Sequence, residues 1–338
     1  MLTAIDHGAE RQGSPPGMRL IHGSRFLMGS DCHYPEEAPA HEVAVDPFWI
    51  DATPVTNRQF AQFTDATGYV TVAERSPDPS DYPGFVPAMM QPGSLLFRRP
   101  SHPAPLQDFN AWWEFSFGTC WRSPRGPGTR LDELMDHPVV HVAYADCEAF
   151  AAWAGKELPT EAEWECAARG GLDAMEYAWG RDLNPQGLSM ANIWEGQFPW
   201  ECRTRDGSFG TSPVGAYPPN GFGLHDMIGN VWEWTCDWFA SHLECAQQTG
   251  CCIPRNPIGG REERSYDPCT PLIRIGRKVL KGGSHLCAAN YCRRYRPAAR
   301  YPQPVDTSTS HVGFRCVLRI KAQAAPQRYS NNKGGLII

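Results

Sequence analysis

Two cysteines five residues apart, Cys287 and Cys292, sit in the segment KGGSHLCAANYCRRYRPAAR (281–300), behind a Gly-Gly turn and ahead of a run of arginines and tyrosines. Such a thiol pair can close a structural disulfide, exchange disulfides or bind a soft metal. Two thiolates suit Cu(I), which accepts two sulfur ligands where Zn(II) asks for four. No further Cys or His cluster at zinc-like spacing surrounds the pair, and His285 is the only extra candidate. The vicinal pair Cys251-Cys252 reads as flexible-loop thiols without a catalytic role. Arg293, Arg294, Arg296 and Arg300, interleaved with Tyr295, read as locally packed and paired rather than as a nucleic-acid contact.

The elements that must position this segment are short. Arg19–Ile21 and Phe26–Gly29 read as two strands around a turn, and Glu42–Val45 and Phe48–Ile50 alternate in the same way. Thr56 N-caps a helix that carries Phe60 and Phe63 on one face and stops at Gly68. Residues 75–135 form a long, irregular excursion rich in Pro, Gly and aromatics, in which Trp112–Phe117 reads as core rather than as a substrate platform. His137–Val142 is apolar enough for a buried strand. Ala145–Ala154 is predicted to be a helix with Phe150 and Trp153 inward. Thr160 and Glu163 make a capping box for the next helix, which ends at Gly170-Gly171. Beyond it the helical signal fades, and Val279–Gly283 and Val312–Ile320 read as strands flanking the two cysteines. No repeat of 20–50 residues is visible.

Composition narrows the classes. The chain has 338 residues, with 41% hydrophobic residues, 12 Trp, 11 Tyr and 15 Phe, which is enough for a large core. The 31 Pro and 32 Gly point to turn-rich backbone rather than long helices. A formal charge of −6 without a basic stripe argues against a nucleic-acid partner. No apolar run is long enough to span a membrane, and MLTAIDHGAERQGSPPG lacks a secretory h-region. Thirteen cysteines without an export signal are expected to be mostly reduced thiols in the cytoplasm. One irregular α+β domain is expected over 18–320, with 1–17 a disordered leader and 321–338 a flexible tail.

Several segments together resemble one family, the formylglycine-generating enzymes (sulfatase-modifying factors): PVTNRQFAQFTDATGYVTVAE, WAGKELPTEAEWECAARGG, PPNGFGLHDMIGNVWEWTCDW, KGGSHLCAANYCRRYRPAAR and HVGFRC. LPTEAEWE, GNVWEW and GFRC are shared by a wider superfamily and bear on fold, whereas the pair Cys287 and Cys292 matches the active enzymes. The closely spaced Cys251-Cys252 and HPVVHVAY look more like the prokaryotic branch. The resemblance implies a loop-rich α+β fold distantly like C-type lectins. It implies an oxidase that uses O2 to convert a cysteine of a sulfatase, within a Cys-x-Pro-x-Arg motif, to Cα-formylglycine. It further implies Cys287 and Cys292 as Cu(I) ligands, Ser284 as an active-site serine, and Trp232 and Tyr291 as lining of the same pocket. Two structural Ca2+ sites are implied, one from Asn192, Ile193, Asp206 and Ser208 and one from Asp226, Gly229, Val231 and Glu233; read alone, Asp206-Gly207 is a turn and Glu233 a salt-bridged core residue. A monomer is expected.

Three departures from the animal enzymes stand out. Ala288 occupies the position after the first cysteine, where they carry histidine. Pro297 and Ala168 replace a bridged cysteine pair. Cys316 faces Ala151 in place of its usual partner, with Cys147 one helical turn away as a substitute. Two other classes share the fold. An iron-dependent sulfoxide synthase would add an N-terminal helical domain, for which 17 residues are too few. A non-catalytic, lectin-like binding module would lack the cysteine pair.

Overall fold

The structure, a computed structural model, describes residues 14–82, 84, 86, 88, 90–203, 209–242 and 252–320. Its frame is a four-stranded sheet built around β7 (Trp232–Trp238) and β8 (Arg277–Lys281), with β9 (Arg300–Pro304) and β10 (Val312–Gly313) outside, in the order β10-β7-β8-β9. Strands β7, β8 and β9 run antiparallel in sequence, and β10 lies parallel to β7. A second sheet has the order β1-β4-β11, from Met18–Ile21, Phe48–Asp51 and Val317–Arg319. Two hairpins complete the set: β2 (Ser24–Met28) with β3 (His41–Val45), and β5 (Gly93–Phe97) with β6 (Trp113–Phe117). The sequence reading had β1 and β2 around one turn; they belong to different sheets, because β1 pairs with β4 and β2 with β3.

Three α-helices pack among these strands: α1 (Asn57–Thr67), α2 (Tyr144–Trp153) and α3 (Glu161–Arg169). Their ends follow local chemistry. Thr56 and Gln59 form a reciprocal capping box, and Gly68 closes α1 in the left-handed region at φ 69°. Thr160 and Glu163 do the same for α3, which stops at Gly170 with φ 59°. Phe60 and Phe63 are buried and meet Phe150 and Trp121 ring to ring. Trp153 differs from expectation: its ring touches Phe63 and Phe150, yet it remains 44% exposed at the edge of that cluster.

His137–Val142 is buried but is not a strand. Pro138 has no N–H to give a ladder, and His141 takes φ 59°, so the chain turns after one bridge to Thr56. Val312–Ile320 is likewise two strands, because Phe314–Cys316 leaves one sheet before Val317 enters the other. In the 75–135 excursion the β5–β6 hairpin is more regular than expected. Trp112 is buried there, but Phe115 and Phe117 are 39% and 40% exposed on the outer face of β6, so only part of Trp112–Phe117 is core. Of the leader, residues 14–17 are ordered enough to bond, with the Gly17 carbonyl accepting from Ala52 N–H; residues 1–13 and the tail 321–338 lie outside the described residues.

Candidate active site

The dithiol segment is the loop that joins β8 to β9, whose antiparallel register pairs Lys281 with Arg300. Gly282 and Gly283 begin it with φ 92° and 72°, a region that side chains with a Cβ rarely adopt. Space also requires glycine there: a Cβ on Gly283 would stand 2.7 Å from the Arg294 carbonyl, and one on Gly282 would stand 3.0 Å from the Trp164 ring.

Both ends of the loop are fastened to α3. Lys281 Nζ lies 2.8 Å from Glu165 Oε2 and 3.5 Å from Glu161 Oε1, and Arg300 Nη2 donates to Glu161 Oε2 at 2.7 Å. All four side chains are 5% exposed or less. Burial would raise the Glu161 carboxyl, but Arg300 and Lys281 outweigh it and hold the group well below the usual carboxylate range. Glu165 is lowered in the same way by Lys281 and Arg169. These two carboxylates of LPTEAEWE were read only as part of a helix start. Their i,i+4 spacing on a helix rich in Ala and Trp, with Lys281 opening the cysteine segment, was the available signal.

Within the loop, the Cys287 and Cys292 sulfurs stand 3.4 Å apart as free thiols. The Cys287 N–H bonds the Ser284 carbonyl and the Cys292 N–H bonds the Ala288 carbonyl, so two successive turns bring the side chains onto one point. Cys287 is buried and Cys292 is half-buried. Burial pushes the Cys287 thiol well up. Hydrogen bonding from Cys287, aided by the Arg294 guanidinium, draws Cys292 below the ordinary thiol range. The two thiols are therefore driven in opposite directions, the buried one up and the outer one down.

Ser284 meets the sulfurs through its backbone: its N–H points at Cys287 Sγ at 3.4 Å, while its hydroxyl accepts from Leu286 N–H at 3.2 Å. Trp232, the first residue of β7, packs in the core cluster that contains Cys287. Tyr291 belongs to a neighbouring aromatic cluster and lies flat on Phe198, with ring centroids 4.4 Å apart at 6°. Trp232 and Tyr291 thus belong to two different clusters, the first of which also contains Cys287. His285 gives Nδ1 to the Asn230 carbonyl at 2.8 Å, and burial lowers its pKa to about 4, so the ring is neutral. Among the described residues no group of three or more His, Cys, Asp or Glu is gathered to hold a metal.

The arginines pair with partners far away in sequence, not locally. Arg293 reaches Glu176, Arg294 reaches Glu36, Arg296 reaches Glu37 and Arg300 reaches Glu161. Glu36 and Glu37 lie in a 3-10 turn, Pro35–Glu37, that nothing in the sequence tied to the site.

The calcium candidates divide. Asn192 donates its amide to the Gly210 carbonyl at 3.0 Å, but Asp206 and Ser208 lie outside the described residues, as does Cys251. In the other group, Asp226 accepts Gly215 N–H at 2.7 Å, and burial raises its carboxyl, with the Glu233 charge adding to the rise. Gly229 takes φ 77° against the Asn192 carbonyl, and Val231 is buried between Asn230 and Trp232. Glu233 is a salt-bridged core residue: Arg315 grips both its oxygens at 2.7 and 2.8 Å, and the Trp164 indole donates to Oε2 at 2.7 Å. Those bonds leave one lone pair on Oε1. Cys147 and Cys316 are both buried and unbridged.

Against known proteins, residues 4–320 match the sulfatase-modifying factor enzyme 1-like domain. The chain is 51% identical over 298 residues to the formylglycine-generating enzyme of Mycobacterium tuberculosis, covering 88% of this chain and 96% of that one. It is 43% identical to the formylglycine-generating enzyme of Thermomonospora curvata, covering 89% and 92%. Among solved structures, PvdO from Pseudomonas aeruginosa shares the fold with a TM-score of 0.59 at 23% identity, over 90% of this chain and 94% of that one. The fold and the dithiol loop thus define a domain of the sulfatase-modifying-factor type. The chain belongs to the formylglycine-generating enzyme family, as its motifs implied.

Proposed function

We propose that this chain converts a cysteine of a sulfatase to Cα-formylglycine, with O2 as oxidant and copper held by Cys287 and Cys292. The observation that carries the reading is the convergence of two free thiols, 3.4 Å apart, in a chain 51% identical to a formylglycine-generating enzyme. Two thiolate sulfurs suit a soft monovalent cation, whereas zinc asks for four ligands. Bound there, copper would supply the one-electron chemistry that lets O2 react with a thiol.

The chain's own part is to hold and to orient. The Gly282-Gly283 turn and the α3 anchors fix the sulfurs before substrate arrives, so binding does not have to order the loop. Cys287 is shielded from water and Cys292 faces outward, which presents the pair to an incoming substrate thiol from one side. The overall change balances when the substrate Cβ gives up two electrons and an external thiol reductant gives two, O2 taking up all four to become two waters, while one water hydrolyses the oxidised carbon, supplying the aldehyde oxygen and releasing sulfur as hydrogen sulfide. Neither the Cys-x-Pro-x-Arg context nor a cytoplasmic, monomeric state follows from the geometry; both belong to the proposal. No helix among the described residues is long and apolar enough to cross a membrane.

The test is direct. With Cu(I), O2 and a reductant, the protein should change a Cys-x-Pro-x-Arg peptide by the mass difference between CH2SH and CHO. An unchanged peptide with folded protein and bound copper refutes the activity.

Calcium is proposed for structure only, through Asp226, the Gly229 and Val231 carbonyls and the lone pair left on Glu233, with a second ion at Asn192, Ile193, Asp206 and Ser208. The buried Asp226 beside Glu233 supports it, since a cation there would relieve two neighbouring carboxylates. Chelation should lower the melting temperature before it alters turnover, and a melting temperature indifferent to calcium removes both sites.

A further inference from the structure

Each arginine and lysine of the segment has a carboxylate partner, and one of them also reaches the sulfurs. A monovalent cation between two thiolates leaves one net negative charge, and a charge buried without compensation is costly. Most cations of the segment are turned away: Arg293 to Glu176 at 3.0 Å, Arg296 to Glu37 at 2.7 Å, Arg300 to Glu161 and Lys281 to Glu165. Arg294 differs, because its Nη1 lies 3.8 Å from Cys292 Sγ.

That guanidinium is held on its other edge and on its face. Its Nε donates to Glu36 Oε1 at 3.1 Å, and Nη2 shares the same oxygen, which leaves Nη1 for the sulfur. The Tyr34 ring lies 3.8 Å from the guanidinium carbon and the Tyr301 ring 5.5 Å, so stacking fixes the plane of the fork. The holder is itself pinned. Tyr34 accepts the Arg293 N–H at 3.0 Å, the Glu36 carbonyl accepts from Arg300 at 3.2 Å, and Glu37 pairs with fully buried Arg296. The Arg294–Glu36 pair is neutral overall but is oriented with its positive end on the sulfur.

We propose that Arg294 is the counter-charge of the dithiolate site and that Tyr34 together with Glu36, the latter 258 residues earlier in the chain, holds it in place. The proposal rests on the soft-cation reading of the pair given above. Arg294 is a positioning and charge-balancing residue, distinct from the sulfurs that would bind the ion.

The experiment is an anaerobic Cu(I) competition titration against a chelator of known affinity, with the melting temperature of each metal-free variant beside it. Losing one charge-assisted contact predicts that Arg294→Gln weakens Cu(I) binding about 10- to 100-fold. Arg294→Lys, which keeps the charge and loses the fork, should recover part of that loss. Glu36→Ala should weaken binding about 2- to 5-fold, as expected for loosening one half-buried pair. Cu(I) affinity in Arg294→Gln within about twofold of the starting protein overturns the counter-charge role. If Arg294→Gln does not fold, Arg294→Lys and Glu36→Ala decide, and unchanged affinity in both overturns the proposal. Failure of the unaltered protein to bind Cu(I) would refute the metal reading and this inference together.

Discussion

Among the described residues two pairs of thiols, Cys287 with Cys292 and Cys147 with Cys316, lie in very different surroundings. Cys147 on α2 and Cys316 just before β11 belong to the same core cluster as Cys287, and each pair is close enough for one thiol to feel the other's charge. Around Cys147 and Cys316 burial and carboxylates prevail, and the Lys156 ammonium near Cys316 does not offset them. Burial raises both thiols well above their usual range, and Asp146 adds to the rise for Cys147 and Asp51 for Cys316. Around Cys292 there is a guanidinium and a half-open face instead. Proximity alone does not make a thiol pair reactive; a neighbouring cation and a route to solvent do.

The largest effect should come from removing either sulfur of the outer pair. Cys287→Ser or Cys292→Ser is expected to abolish tight Cu(I) binding and peptide conversion, while Cys147→Ser with Cys316→Ala should keep both in whatever fraction folds. Titration and peptide mass measured on the same samples check this, and copper retained by either outer-pair variant refutes the ligand assignment.

Next in size is the anchor. Glu161→Gln removes a buried charge that faces Lys281 and Arg300, and breaking such a pair costs about 3–5 kcal/mol. Denaturant titration reads the loss, and a change below about 1 kcal/mol would show that the anchor is dispensable. The same carboxylates set an acid limit. Their folded pKa values are depressed, so their contribution is complete above the unfolded value of 4.5 and disappears as pH falls through the folded values. Acid unfolding of Glu161→Gln should therefore be shallower than that of the unaltered protein below pH 4.5.

The smallest effect is the most local. Iodoacetamide should label Cys292 in the native protein and continue to do so below the ordinary thiol pKa, because the thiolate is favoured there. Cys147 and Cys316 should stay unlabelled until the core opens. Mass mapping of labelled peptides distinguishes them, and equal labelling of the two pairs would erase the distinction.

The sequence displayed local structure and hid what joins distant parts. The Thr56 N-cap, the Thr160–Glu163 capping box, the glycine stops of α1 and α3 and the strand β8 could be read because each depends on residues within one or two turns. Cys287 and Cys292 could be read because their spacing is local too. His137–Val142 misled because its apolar run suggested a strand, while Pro138 and the left-handed His141 deny it a ladder. Glu36, Tyr34 and Glu161 left no trace of their part in the site, since their partners are separated from them by long stretches of chain that only the fold brings together. The arginines were read as paired, but the other half of each pair could not be named from periodicity or motif.

One consequence concerns portability. The β8–β9 register makes 282–299 look like a self-contained hairpin insert that could be grafted between any two antiparallel strands. Its support comes from elsewhere: a helix residue, Glu161, holds Lys281 and Arg300 together, and a turn at Tyr34–Glu37 lies across Arg293, Arg294 and Arg296. A transplant of the loop alone would carry both sulfurs and leave behind the carboxylates that Arg294 and Arg296 require. Moving this chemistry to a new scaffold therefore means copying three separate stretches of chain in one fixed arrangement.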